Sequence, residues 1–184
     1  MTSEESDTGP VFFWRPEAED GFLGQWYPAP FTWRKPVDGN EGEFEELHYQ
    51  NAEQYMMHRK ALLFAPSSPI TAQILAAGEP APHPRVLKQL GRQVPNFSEN
   101  VWNNERMAIV LEGNMLKFSQ NDELREKLLA TGERELVEAS PRDRIWGVGY
   151  EKANAEKNRY RWGLNLLGKC LMETRSKLRE QKSS

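Results

Sequence analysis

At Asn51 the chain changes character, and that change limits what it can fold into. From Phe12 to Phe44 large rings (Phe13, Trp14, Phe22, Trp26, Tyr27, Phe31, Trp33) are interspersed with Gly and Pro. Such a stretch suits short strands and turns better than long helices. Beyond it, helical signals dominate. A helix is expected from about Asn51 to Phe64, stopped before Pro66, then a short one with Ser68 as N-cap, Pro69 in its first turn and Gly78 past its end. A third short helix ends at Leu90-Gly91. Ser98 caps a longer helix carrying Val101, Trp102, Ala108, Ile109 and Leu111, and Leu124, Leu128 and Leu129 mark another that ends at Gly132. Leu136-Val137 reads as a short strand, and Leu164, Leu167, Leu171 and Leu178 as the apolar stripe of the last helix. The expected fold class is mainly α, a single helical domain with a small β-sheet.

The chain has 184 residues, enough for one sizeable core and too few for two. The expected domain spans 11–179, with polar tails at 1–10 and 180–184 that lack apolar spacing and read as disordered. With 27 acidic against 24 basic residues, no overall basic field marks a protein that wraps duplex nucleic acid. The acidic, polar start resembles no signal peptide, and no apolar run reaches the length of a membrane span. An intracellular protein is expected, cytoplasmic or, in a eukaryote, nuclear, without membrane association. The single cysteine, Cys170, cannot form an internal disulfide and sits among Leu167, Leu171 and Met172, so it reads as a small buried hydrophobe.

The Asn51–Ala61 stretch carries the first candidate site. Glu53 and Lys60 are seven residues apart, so on a helix they differ by about 20° around the axis and about 10 Å along it. They cannot easily pair, yet both can face one ligand beside Met56 and Met57. The plainer alternative is a solvated Glu and Lys. A second cluster runs from Glu138 to Gly149. Asp143 lies there between Arg142 and Arg144, which should keep it ionised, and Gly147 and Gly149 would let a ligand approach the backbone. A structural Arg–Asp pair explains the same residues. Arg92 with Trp102 offers a cation and a ring, against the reading of Trp102 as core. Lys117 stands near Gln120 and Asn121 at what could equally be a solvated helix end.

Other chemistries lack their residues. His48, His58 and His83 show no ligand spacing with one another or with Cys170, so no metal site is expected. There is no zinc-deaminase signature, phosphate-cradling Gly-rich loop or Gly-x-Ser-x-Gly elbow. A metal-free site of carboxylates, amines and rings remains, the inventory used to cleave glycosidic bonds or bind nucleosides.

Taken in order, Phe12-Phe13-Trp14, Gly21 to Pro28, Asn51 to Ala61, Leu90-Gly91-Arg92, Trp102, Leu116-Lys117-Phe118, Leu136 to Gly147 and Asn158 through Leu171 resemble the NADAR family of YbiA-like N-glycosidases. The resemblance implies a YbiA-like helical fold and hydrolysis of an N-glycosidic bond between ribose C1 and a guanine-like base, without cofactor or metal. It places catalytic roles on Glu53, Asp143 and Lys60, and substrate contacts at Trp102, Arg92, Lys117, Trp26, Trp146 and Asn165. Two substrate classes go with it: ADP-ribose on guanine, in nucleotides or nucleic acid, and ribosylamino-pyrimidine intermediates of riboflavin synthesis. A free-standing domain favours ADP-ribose removal, with ADP-ribose or ADP-ribosylated guanine as the partner and no obligatory protein partner. The long Phe22–Phe44 segment departs from simpler members and bears on substrate range. A binding module that recognises ADP-ribose without turnover is the alternative of another class.

Overall fold

The computed structural model describes residues 8–77 and 83–183. By their contacts the residues fall into two compact units: residues 25–125, and a second built from the chain up to Gly24 and from Glu126 onward. The expected tail at 1–10 lies outside the described residues as far as residue 7, and Gly78 lies outside them too.

The 25–125 unit begins with a β-hairpin. Its strands, β2 (Phe31–Pro36) and β3 (Phe44–Tyr49), are antiparallel, with Phe31 opposite Tyr49 and Pro36 opposite Phe44. Four helices follow: α1 (Ala52–Phe64), α2 (Pro69–Ala76), α3 (Pro84–Arg92) and α4 (Glu99–Ser119). The Ser68 and Ser98 caps fall where the sequence places them, and Asn51 proves to be a third. The side chains of Asn51, Ser68 and Ser98 accept from the N–H groups of Gln54, Ile70 and Val101, each such cap contributing about 1 kcal/mol. Phe31, Leu47, Tyr49, Ala52, Tyr55 and Ile109 form a core, with Trp33, Leu75, Trp102 and Leu116 packed against it. Two glycines let helices meet α1 closely. A Cβ at Gly113 would stand 2.6 Å from the Tyr55 ring, and one at Gly91 would stand 2.1 Å from Met57 Sδ, so any larger residue forces these contacts apart.

Helix α5 (Asp122–Ala130) runs across the division between the two units. In the second unit, β1 (Val11–Phe13) pairs in parallel with β4 (Leu136–Glu138), so the described residues form two separate two-stranded sheets. A short helix, α6 (Lys152–Ala155), leads into a 3₁₀ segment over Glu156–Arg161, and α7 spans Leu166–Ser183. The last helix therefore starts after Leu164 and continues through residues 180–183 of the expected closing tail. Asn165 sets its start: φ is 48° there, a left-handed conformation that no helix can run through. Leu164 lies outside the stripe, 49% exposed. Cys170 is fully buried, and burial pushes its thiol up to about 12. Among the described residues no helix is long and apolar enough to cross a membrane.

Candidate active site

Helix α1 carries more chemistry than any other element of the 25–125 unit. Glu53 is 5% exposed, and its backbone N–H donates to the Gln25 carbonyl at 3.1 Å. Two turns on, Lys60 is partly buried, and its Nζ donates to the Gly91 carbonyl at 2.8 Å. The amine lies 4.4 Å from the centroid of Phe97 and 6.0 Å from that of Trp102. Burial lowers its pKa, and the Arg92 guanidinium lowers it further, while Glu53 acts in the opposite sense. These electrostatic effects place Glu53, Lys60 and Arg92 in one field. Arg92 is the last residue of α3 and is exposed, so its charge remains open to an anion.

Lys117 overturns the reading as a solvated helix end. It lies within α4 with no exposed surface, 4.8 Å from the Phe118 ring centroid and 5.8 Å from that of Tyr27. Burial pushes its amine down to about 7. Trp26 sets its ring edgewise to His83, with centroids 6.1 Å apart. Trp102 is partly buried and packs against the core, as its core reading expects.

Asp143, Trp146 and Asn165 belong to the other unit, where their local geometry is well defined. Asp143 Oδ1 accepts from the N–H groups of Ile145 at 2.9 Å and Trp146 at 2.8 Å. Arg144 donates to the Arg161 carbonyl instead of forming the Arg–Asp pair considered from sequence. Trp146 is held through its own carbonyl by the Leu167 N–H. The space at the glycines is taken by the protein itself: a Cβ on Gly147 would meet the Glu138 and Asp143 carbonyls, and one on Gly149 the Arg144 side chain. Asn165 is 5% exposed and spends its carboxamide on β4, accepting from the Glu138 N–H at 3.1 Å and donating to the Leu136 carbonyl at 3.0 Å.

The opposite face of α1 opens on a cavity of about 410 Å³ lined by Lys35, Glu45, His58, Leu62, Ser68 and Leu75, among others. Several of its polar groups are paired already. Lys35 meets Glu45 at 3.5 Å, and His58 Nδ1 bonds the Tyr49 hydroxyl at 2.8 Å. Burial lowers the His58 pKa to about 4, so the ring is neutral at physiological pH. The other histidines are also engaged, His48 with Thr32 and His83 with the Arg85 N–H.

Two features escaped the sequence reading. Tyr55, Arg59 and Glu112 form a linked network on the core side of α1, with Arg59 stacked 4.4 Å from the Trp33 centroid. Phe97 is the other. A lone aromatic in the polar turn Pro95-Asn96-Phe97-Ser98 was the available signal.

The fold is that of the Escherichia coli protein YbiA, solved by NMR. The two structures align with a TM-score of 0.69 over 96% of this chain and 89% of that one, at 24% identity. The NADAR domain matches residues 12–179, and the chain belongs to the NADAR family. It is 42% identical over 156 residues to N-glycosidase R617 of Acanthamoeba polyphaga mimivirus, covering 83% of this chain and 85% of the relative. It is also 30% identical over 171 residues to riboflavin biosynthesis protein VVA0006 of Vibrio vulnificus, covering 93% of this chain but 39% of that longer protein.

Proposed function

We propose that the protein is a metal-independent N-glycosidase that hydrolyses the bond between ribose C1 and a guanine-like base, releasing ADP-ribose from ADP-ribosylated guanine. One observation carries this reading: the Lys60 amine, lowered in pKa and flanked by two rings, shares a helix edge with the buried Glu53. Lowering an amine's pKa raises the share that is unprotonated and nucleophilic, and a carboxylate in its field can help move the protons that exchange of groups at C1 requires. The Lys60 Nζ lone pair attacks C1 while the bond to the base breaks and the base nitrogen takes up a proton. Ring opening gives an imine between Nζ and C1. Water then adds to C1, the Nζ–C1 bond breaks, and the sugar leaves with a hydroxyl at C1. The net change is consumption of one water. Arg92, exposed beside Lys60, suits a phosphate of ADP-ribose.

The name and coverage of the mimivirus relative support the reaction class. The Vibrio relative supports a second reading, in which the base is a ribosylamino-pyrimidine intermediate of riboflavin synthesis. Incubating the protein with ADP-ribosylated guanosine and, separately, with a ribosylamino-pyrimidine phosphate, and following base and sugar by mass spectrometry, decides between them. Release of guanosine and ADP-ribose supports the first reading, and release of the pyrimidine alone supports the second. Tight ADP-ribose binding with neither substrate cleaved would leave a binding module. Full activity after EDTA treatment is expected, and restoration of a chelated enzyme by zinc or magnesium would refute metal independence.

A further inference from the structure

Phe97 is one of several large apolar side chains that stay exposed. It is a large ring, 45% exposed, in the turn that leads into α4. The residue before it, Asn96, has φ of 58°, a left-handed conformation uncommon for a residue other than glycine. The ring is steadied by Phe64, which meets it at 5.2 Å with an interplanar angle of 70°. Its centroid lies 4.4 Å from Lys60 Nζ. Trp102, the other ring near that amine, stands at 6.0 Å and packs against the core, so less of it is available to a ligand.

We infer that Phe97 is the ring against which the leaving base of the substrate stacks, and that it selects for a flat heteroaromatic group at that position. The inference rests on Lys60 as the group that attacks C1. In an attack geometry the anomeric carbon lies about 3–3.5 Å from Nζ. A carbon–nitrogen bond of about 1.45 Å then keeps the base nitrogen within about 5 Å of the amine. The Phe97 centroid, 4.4 Å from Nζ with the amine over its ring, lies within that reach, and Phe97 is the more exposed of the two rings there. Base–aromatic stacking depends on the π-face and tolerates different bases, so this ring selects for flatness and size and leaves finer discrimination to polar groups.

The test separates base binding from sugar binding. Dissociation constants are measured by calorimetry for guanosine, which carries a base, and for ribose 5-phosphate, which does not. The proteins are the wild type, Phe97→Ala, Phe97→Leu and Phe97→Tyr, with thermal unfolding as the fold control. Phe97→Ala is expected to weaken guanosine about tenfold and to leave ribose 5-phosphate unchanged. Phe97→Leu should fall close to Phe97→Ala, and Phe97→Tyr close to the wild type. An unchanged guanosine constant in Phe97→Ala overturns the inference. So does an equal loss for both probes, which would make the ring a prop for the site. The hydrolase reading is judged apart, by wild-type turnover of ADP-ribosylated guanosine and the pyrimidine glycoside. Absence of turnover with guanosine binding that depends on Phe97 would remove the hydrolase and keep the base-stacking ring.

Discussion

Lys60 on α1 and Lys117 on α4 are both amines that burial moves below the usual lysine range. Lys60 is partly open, and its Nζ rests on one carbonyl and the faces of two rings, beside the exposed charge of Arg92. Lys117 has no exposed surface, and its amine lies among the rings of Tyr27 and Phe118. Of the two, Lys117 is the one lowered to about 7, yet by exposure Lys60 is the better placed to meet a ligand. A lowered pKa therefore reports burial in both places and marks a nucleophile only where a substrate can reach the amine.

The largest expected effect breaks or upholds this contrast directly. Borohydride added during turnover should reduce the imine and fix a sugar adduct on Lys60 and not on Lys117, located by peptide mass spectrometry. Lys60→Arg should lose the adduct and about 10³-fold or more of kcat, because a guanidinium keeps the charge but does not attack carbon. An adduct on Lys117, or near-normal kcat in Lys60→Arg, would reverse the assignment. Glu53→Gln comes next. The variant keeps the shape of a side chain that is 5% exposed and should fold normally while kcat falls by about 10². Unchanged kcat would leave Glu53 as a buried acid without a part in turnover.

The contrast between the two lysines was only half legible in the sequence. Spacing on one helix edge was enough to associate Glu53 with Lys60, because α1 forms where Asn51 and Pro66 bound it. The Ser68 and Ser98 caps and the β4 strand were legible for the same local reason. Lys117 was not, since one of the rings beside its amine is Tyr27, ninety residues earlier in the chain, and a lysine near a helix end gives no local sign of being enclosed. Asn165 shows the same limit. Its carboxamide holds β4 through a strand edge that the sequence does not place beside it. Losing both bonds in Asn165→Ala should lower unfolding free energy by about 2 kcal/mol, measured by urea denaturation. An unchanged midpoint would separate the residue from the strand.

The smallest expected effect concerns Lys117 alone and appears in stability. Its folded pKa of about 7 lies below the ordinary value of 10.5. Between those values the unfolded chain binds more protons than the folded one, so raising the pH favours the folded state. Below about pH 7 both states carry the proton and the penalty of burying the charge is fully present. Above about pH 10.5 neither carries it and the penalty is gone. The wild type should therefore gain Tm between pH 7 and pH 9 relative to Lys117→Met, which fills similar space with an apolar chain and has no amine to titrate. Scanning calorimetry of both proteins across that window gives the difference. Parallel Tm profiles would show that Lys117 keeps an ordinary pKa inside the fold, and the contrast with Lys60 would then rest on access alone.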